Sequence, residues 1–207
     1  MSEKHYLYPV WTRLWHLLNA LLIILLIITG ISMQYALSEL GFIKFSTAVK
    51  IHNISGLILT VSYLFFVLGN LFSSNGKHYQ LFWKSFSKEI IAQVKYYLIG
   101  MFKKEKKPFH IDEKNKFNPM QKVTYTILMY IFVPLIILSG IALMFPDVIV
   151  IKKVFNYSGI LFTSLIHIVI GFIISIFLIV HLYLCTIGIR KANTFKSMIT
   201  GYHINTD

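Results

Sequence analysis

Acidic side chains are scarce in this chain: eight Asp and Glu stand against twenty Lys and Arg in 207 residues. Charge of either sign is absent from four long stretches, Leu14 to Ser38, Ile51 to Gly76, Val123 to Pro146 and Val154 to Ile189. Only 14% of the chain is charged and 56% is apolar, whereas a soluble domain carries roughly a quarter charged residues. Each charge-free stretch exceeds the roughly 20 residues that cross a bilayer core as a helix. They predict transmembrane helices over about 14–36, 51–72, 123–145 and 161–187. The first is too long, and lacks the small-residue cleavage site, for a signal peptide. Cysteine is nearly absent as well. Cys185 alone excludes an intramolecular disulfide and a Cys-based metal site, and its expected role is that of a small core hydrophobe. With no CxxCH there is no covalent c-type haem.

What charge remains is informative by its place. Eleven of the basic residues lie between the second and third spans, Lys77 to Lys122. Lys4 and Arg13 precede the first span, and Arg190, Lys191 and Lys196 follow the fourth. Only Lys44, Lys50, Lys152 and Lys153 occupy the other two loops. The positive-inside rule then puts both termini and the long middle loop in the cytoplasm. The net charge of +12 reads as topology and attraction to anionic membrane lipid, not as a nucleic-acid surface.

The expected fold is an all-α membrane protein, an antiparallel four-helix transmembrane bundle forming a single membrane domain over 1–207. The loops at about 37–50 and 146–160 are too short for a globular part. In the middle loop, Ile90, Ile91, Val94, Tyr97, Leu98, Met101 and Phe102 recur at helical spacing between polar residues. This predicts a cytoplasmic amphipathic helix over about 85–102, lying on the inner membrane surface. The charged, proline-broken "KKEKKPFHIDEKNK" after it reads as a solvated loop.

Of eight histidines, His5, His78, His110 and His203 lie in polar flanks or loops and read as solvated side chains. His16, His52, His167 and His181 lie inside apolar spans, where an unpaired imidazole is costly. His16 and His181 are shallow on the inner side; His52 and His167 are shallow on the outer side. The fourteen residues from His167 to His181 bring both within about 40° of one helix face, roughly 21 Å apart along the axis. The fourth helix thus offers two imidazoles at two levels, which the first helix can answer at the inner level and the second at the outer. Zinc would want further N, S or O ligands, and the spans hold no carboxylate or second Cys. Haem iron needs only two axial imidazoles. Two stacked bis-histidine haem b groups are therefore expected, with iron ligands His16 and His181 inside and His52 and His167 outside. Gly30, fourteen residues after His16, agrees in depth and face with the outer ring. Gly56, Gly171 and Gly140 lie near that level too, although glycine also serves plain helix packing. Arg13, at the inner rim, suits either a haem propionate or an inside anchor.

"RLWH", "KIHNISG", "FNPMQKVTY", "SGIALMF", "SMITGY" and the fourteen-residue histidine pair resemble a known family. It comprises the dihaem cytochrome b subunits of membrane-bound formate dehydrogenases, nickel-iron hydrogenases and thiosulfate reductases, within the wider bacterial cytochrome b561 group. The resemblance implies the same ligand pairs. It also implies a quinone, menaquinone or ubiquinone, near the inner haem beside Asn118, with Gln121 one turn on. Asn118-Pro119 is equally a good helix start. The implied role is electron transfer between the quinone pool and a partner redox subunit at the outer face, iron-sulfur or multihaem, with no catalytic residue of its own. The alternatives are a free-standing cytochrome b561 that passes electrons from superoxide to quinone, and a metal-ion or proton transporter using the intramembrane histidines. The missing acidic residues argue against the transporter.

Overall fold

The computed structural model describes residues 4–36, 43–81, 86–103, 105–106, 108–109, 112, 115–148, 153–154, 156–186 and 193–204. Four helices are long and apolar enough to cross a membrane: α1 (Val10–Gln34), α2 (Phe45–Phe72), α4 (Pro119–Met144) and α5 (Gly159–Thr186). Between α2 and α4 lies α3 (Phe86–Lys95), and α6 (Asn193–Thr200) follows α5. The fold is thus all-α with four membrane-length helices and an amphipathic helix, as expected.

The helix ends differ from the charge-free windows. α1, α2 and α4 begin at Val10, Phe45 and Pro119 rather than at 14, 51 and 123. Arg13, Lys50 and Lys122 bound the charge-free runs, but a basic side chain does not interrupt backbone hydrogen bonding. At α4 the start is set by chemistry instead. Asn118 Oδ1 accepts from the Gln121 N–H at 2.8 Å, Gln121 Oε1 accepts from the Asn118 N–H at 3.2 Å, and Pro119 occupies the first turn. This reciprocal cap satisfies two backbone donors. Further along, Pro134 lacks the N–H that would bond the Tyr130 carbonyl, and α4 widens into a π turn over Leu128–Phe132.

Helix α3 runs on into a second π turn, Tyr96–Gly100; Ser85, its expected start, lies outside the described residues. Ile91, Leu98 and Phe102 are exposed along one side, whereas Gln93 is buried. The apolar stripe therefore faces outward, as suits a lipid surface. Gln93, read as part of the polar face, is the side chain turned into the protein.

The chain divides into two compact units, each drawing on all four long helices. The first comprises Met1–Leu14, Gly69–Met129 and Leu178–Asp207. In it the terminal strands β1 (Lys4–Tyr6) and β4 (Tyr202–Ile204) pair antiparallel, with His5 opposite His203. Both termini sharing one end follows from an even number of crossings. Gly201 makes the turn: its φ is +85°, and a Cβ there would stand 2.7 Å from Tyr6 Cε2 and 2.8 Å from the Tyr8 carbonyl oxygen. The glycine of "SMITGY" is thereby explained. A two-stranded hairpin, β2 (Lys153–Val154) and β3 (Tyr157–Ser158), precedes α5.

The second unit comprises Trp15–Leu68 and Tyr130–Phe177. Its interior mixes apolar side chains such as Leu22, Leu59, Phe66, Ile170 and Ile174 with small polar ones, Asn19, Thr29, Ser32, Ser55, Ser62 and Ser139. Leu21, Leu64, Phe65 and Leu138 are exposed. Large apolar side chains outside and small polar ones between helices are the ordinary pattern in lipid. Trp15 stacks on Phe66 at 4.6 Å and donates its indole N–H to the Ser62 carbonyl at 3.0 Å. Asn19 Nδ2 reaches Ser62 Oγ at 2.8 Å. These contacts fix the rotation of α1 against α2 beside His16.

Candidate functional site

In the second unit α2 and α5 carry His52 and His167, whose ring centroids lie 6.2 Å apart with planes at 68°. Both imidazoles are half-buried. Each is held at Nδ1 by a hydroxyl: Thr29 Oγ1 lies 2.9 Å from His52 Nδ1, and Ser139 Oγ lies 2.9 Å from His167 Nδ1. The hydroxyl protons are already committed within their own helices. Thr29 donates to the Leu25 carbonyl at 2.7 Å and Ser139 to the Leu135 carbonyl at 2.8 Å. A hydroxyl has one proton, so it accepts from the imidazole. The carbonyls one turn back, Leu26 and Ile136, share the same hydroxyl protons at 3.2 and 3.1 Å. Both histidines are consequently Nδ1–H tautomers that keep the Nε2 lone pair for a ligand, the usual outer-shell device at metal sites.

A glycine follows each hydroxyl and backs the same ring. A Cβ on Gly30 would stand 3.6 Å from His52 Cε1, an ordinary contact. A Cβ on Gly140 would stand 3.1 Å from His167 Cε1 and 3.6 Å from its Nδ1. Gly140 rather than Gly30 is thus the tighter of the two. Gly171 would meet only Ile136 Cδ1 at 3.7 Å, and Gly56 nothing within 4 Å.

The spacing of the pair can be tested against a shared metal. Metal–nitrogen bonds of about 2 Å, plus about 1.1 Å from each nitrogen to its ring centre, put coaxial imidazole centroids about 6.2 Å apart. The 6.2 Å observed fits. No three His, Cys, Asp or Glu converge among the described residues, so a bare ion would find only two protein ligands here. A porphyrin brings four nitrogens of its own and suits this donor set.

The remaining expected residues fall as follows. His16 lies half-buried on α1 in the second unit, whereas His181 lies half-buried on α5 in the first. His181 Nδ1 is 3.4 Å from the Tyr125 hydroxyl, and its Nε2 is 3.9 Å from Cys185 Sγ. Arg13 donates from Nη1 to the Ile199 carbonyl, while its Nε is buried without a hydrogen-bond partner among the described residues. An orphaned guanidinium N–H is what an incoming carboxylate would satisfy. Asn118 and Gln121 are occupied by the helix cap, and Asn118 Nδ2 donates to the Tyr97 hydroxyl at 3.0 Å. Burial raises the Tyr97 pKa, so that hydroxyl stays protonated.

Thr29 and Ser139 carry no signal in the sequence that marks them as partners of the histidines. A Thr or Ser inside an apolar helix ordinarily bonds its own i−4 carbonyl, and nothing in the sequence says that a second partner waits beyond. A hydroxyl residue precedes five of the eleven glycines, so the dipeptide itself does not discriminate.

Comparison with known proteins gives the family. The family model described as "Prokaryotic cytochrome b561" matches residues 7–201. A protein of Escherichia coli (strain K12) named "Putative cytochrome YdhU" is 37% identical over 203 residues, which is 98% of this chain and 76% of that one. No solved structure matches. A family match over nearly the whole chain coincides with four membrane-length helices and two intramembrane imidazoles 6.2 Å apart. The chain therefore belongs to the prokaryotic cytochrome b561 family of multi-pass membrane cytochromes, electron carriers that hold haem b.

Proposed function

We propose that the protein is a dihaem membrane subunit that passes electrons between a quinone and a partner oxidoreductase. The observation that carries this reading is the His52–His167 pair, 6.2 Å apart with both Nδ1 atoms anchored. His52 and His167 hold the outer haem, and His16 and His181 hold the inner one. When bound, haem supplies a one-electron couple whose potential the protein sets through ligands, hydrogen bonds and burial.

The chain's own residues do the rest. Thr29 and Ser139 fix the tautomer and the plane of each axial ring, which removes a reorganisation step from ligand binding. Their acceptor oxygens lend the rings imidazolate character and make them stronger donors to the oxidised metal. Arg13 compensates a propionate charge at the rim. Thr29 and Ser32 are almost wholly buried, so water is kept from the small interior around the pair.

A quinone headgroup docks where α4 begins. The cap consumes Asn118 Oδ1, and one Nδ2 hydrogen goes to Tyr97. The second Nδ2 hydrogen remains for a quinone carbonyl, with Gln121 alongside. The resemblance to respiratory cytochrome b subunits supports this placement, as does the scarcity of other chemistry in the short loops. The same resemblance supports an inner-membrane location with both termini cytoplasmic, and an iron-sulfur or multihaem partner at the outer face.

Haem content and the reduced-minus-oxidised spectrum of the purified chain test the dihaem reading. Two haem b per chain are expected, and a colourless protein would sink it. Purification from native membranes tests the subunit reading: a partner should co-purify. Isolation alone with full activity towards superoxide would replace it with the free-standing alternative.

A further inference from the structure

The first unit contains a cavity of about 200 Å³ that the haem chemistry does not use. Tyr6, Trp11, Ser74, Asn75, His78 and Lys116 are among its walls. Lys116 is only 3% exposed. Its Nζ donates to Asn75 Oδ1 at 3.0 Å and lies 4.6 Å above the Tyr8 ring. Asn75 is turned to present that oxygen because its Nδ2 donates to Asn70 Oδ1 at 2.7 Å. The partners are neutral, and no carboxylate pairs with the ammonium among the described residues. Burial lowers the Lys116 pKa to about 8, so the charged form still dominates at pH 7. Lys77, Lys116 and Lys122 also hold the His78 pKa down, behind the larger effect of burial. The cavity thus sits in a positive field with a buried cation that has no counter-charge among the described residues, an arrangement that is costly unless an anion completes it.

Its depth suggests which anion. The walls come from the chain just before α1, just after α2 and just before α4, three helix ends that must share one membrane face. Trp11 and Tyr6 are the aromatic types that settle at the headgroup level. Next to the cavity in sequence, Leu14, Leu71 and Phe72 are exposed at 63%, 71% and 86%, an apolar surface of the kind that acyl chains cover. We propose that this cavity binds the phosphate of an anionic phospholipid, with Lys116 Nζ as its buried donor. Basic pockets at helix ends recognise lipid headgroups in this way. The site is independent of the haem reading.

Native mass spectrometry of the full-length protein, titrated with phosphatidylglycerol, phosphatidylcholine or inorganic phosphate, tests it. One phosphatidylglycerol per chain should bind in preference to phosphatidylcholine. Lys116→Met should weaken that binding about tenfold or more, the loss of one charge-assisted hydrogen bond in a buried site. Lys116→Arg should stay within a few-fold of wild type. Lys116→Met leaves Asn75 Oδ1 unsatisfied, so folding is checked by helical circular dichroism. If that variant fails to fold, a photoreactive phosphatidylglycerol on the wild-type protein decides: cross-links should map to 6–11 and 73–78. Unchanged binding in a folded Lys116→Met, cross-links confined to other segments, or binding of inorganic phosphate without phosphatidylglycerol would each overturn the proposal.

Discussion

His52 and His167 on one side, and His181 on the other, show two ways of keeping an imidazole in an apolar helix. The first two each rest on a hydroxyl at 2.9 Å, with a glycine backing the ring. His181 has a tyrosine hydroxyl at 3.4 Å from Nδ1 and a thiol at 3.9 Å from Nε2. A 3.4 Å contact is at the long limit of a hydrogen bond, and the thiol lies beside the very nitrogen that would ligate. The first arrangement holds each Nδ1 against a hydroxyl at close range, whereas the tyrosine contact at His181 Nδ1 is 3.4 Å. The hydroxyl partners of these imidazoles therefore differ in reach although the side chain is the same.

The largest effect breaks the comparison outright. His52→Ala or His167→Ala should remove one haem and leave the other, read as half the haem content with a surviving b-type spectrum. Loss of both in a folded protein, or of neither, would refute the pairing. Next comes Gly140→Ala. Its Cβ would crowd His167 Cε1 at 3.1 Å, so the ring must shift by a few tenths of an ångström. The ring planes now cross at 68°, and a turned plane changes the splitting of the iron d orbitals that accept imidazole π density. Low-spin electron paramagnetic resonance should report a displaced g-max for one haem only. Gly30→Ala, with its contact at 3.6 Å, should displace the His52 ring less.

Smaller still are the hydroxyl variants, which sharpen the comparison without removing a ligand. Ser139→Ala and Thr29→Val delete the acceptor at Nδ1 and keep most of the volume. With less imidazolate character, the rings stabilise the oxidised metal less, and the potential of that haem should rise. The rise should be on the order of 10–40 mV, a fraction of one ordinary hydrogen bond. Thr29→Ser should restore the wild-type value; a potential unmoved in both deletions would show that the hydroxyls merely pack.

Much of this frame is legible in the sequence, because a bilayer enforces simple rules. Four charge-free runs give four helices, and the histidines show their depth by distance from the flanking lysines and arginines. What the sequence hides is anything that depends on side-chain direction across helices. Thr29 and Ser139 look like ordinary back-bonding residues until a second helix places an imidazole within 2.9 Å. Gln93 reads as polar surface until α3 is seen to bury it. Asn118 had two readings of equal weight from its neighbours, and the cap hydrogen bonds display one of them directly. Lys116 is, in the sequence, one of eleven loop cations. Its burial depends on Asn75, forty-one residues away, which no local pattern announces.

The smallest expected effect tests the looser half of the comparison. Tyr125 is enclosed by its neighbours, with Phe117 edge-on at 5.1 Å and the His181 ring at 6.1 Å. Tyr125→Phe therefore removes the hydroxyl and leaves the packing in place. Because the contact to His181 Nδ1 is long, deleting it should shift the inner haem potential by less than about 10 mV, below the Ser139→Ala effect. A larger shift would mean that the bond shortens when His181 takes its ligand. The tyrosine would then act at His181 as the serine does at His167, and the two regions would differ only before binding. Redox titration of the single variant beside Ser139→Ala, in the same membranes, separates those cases.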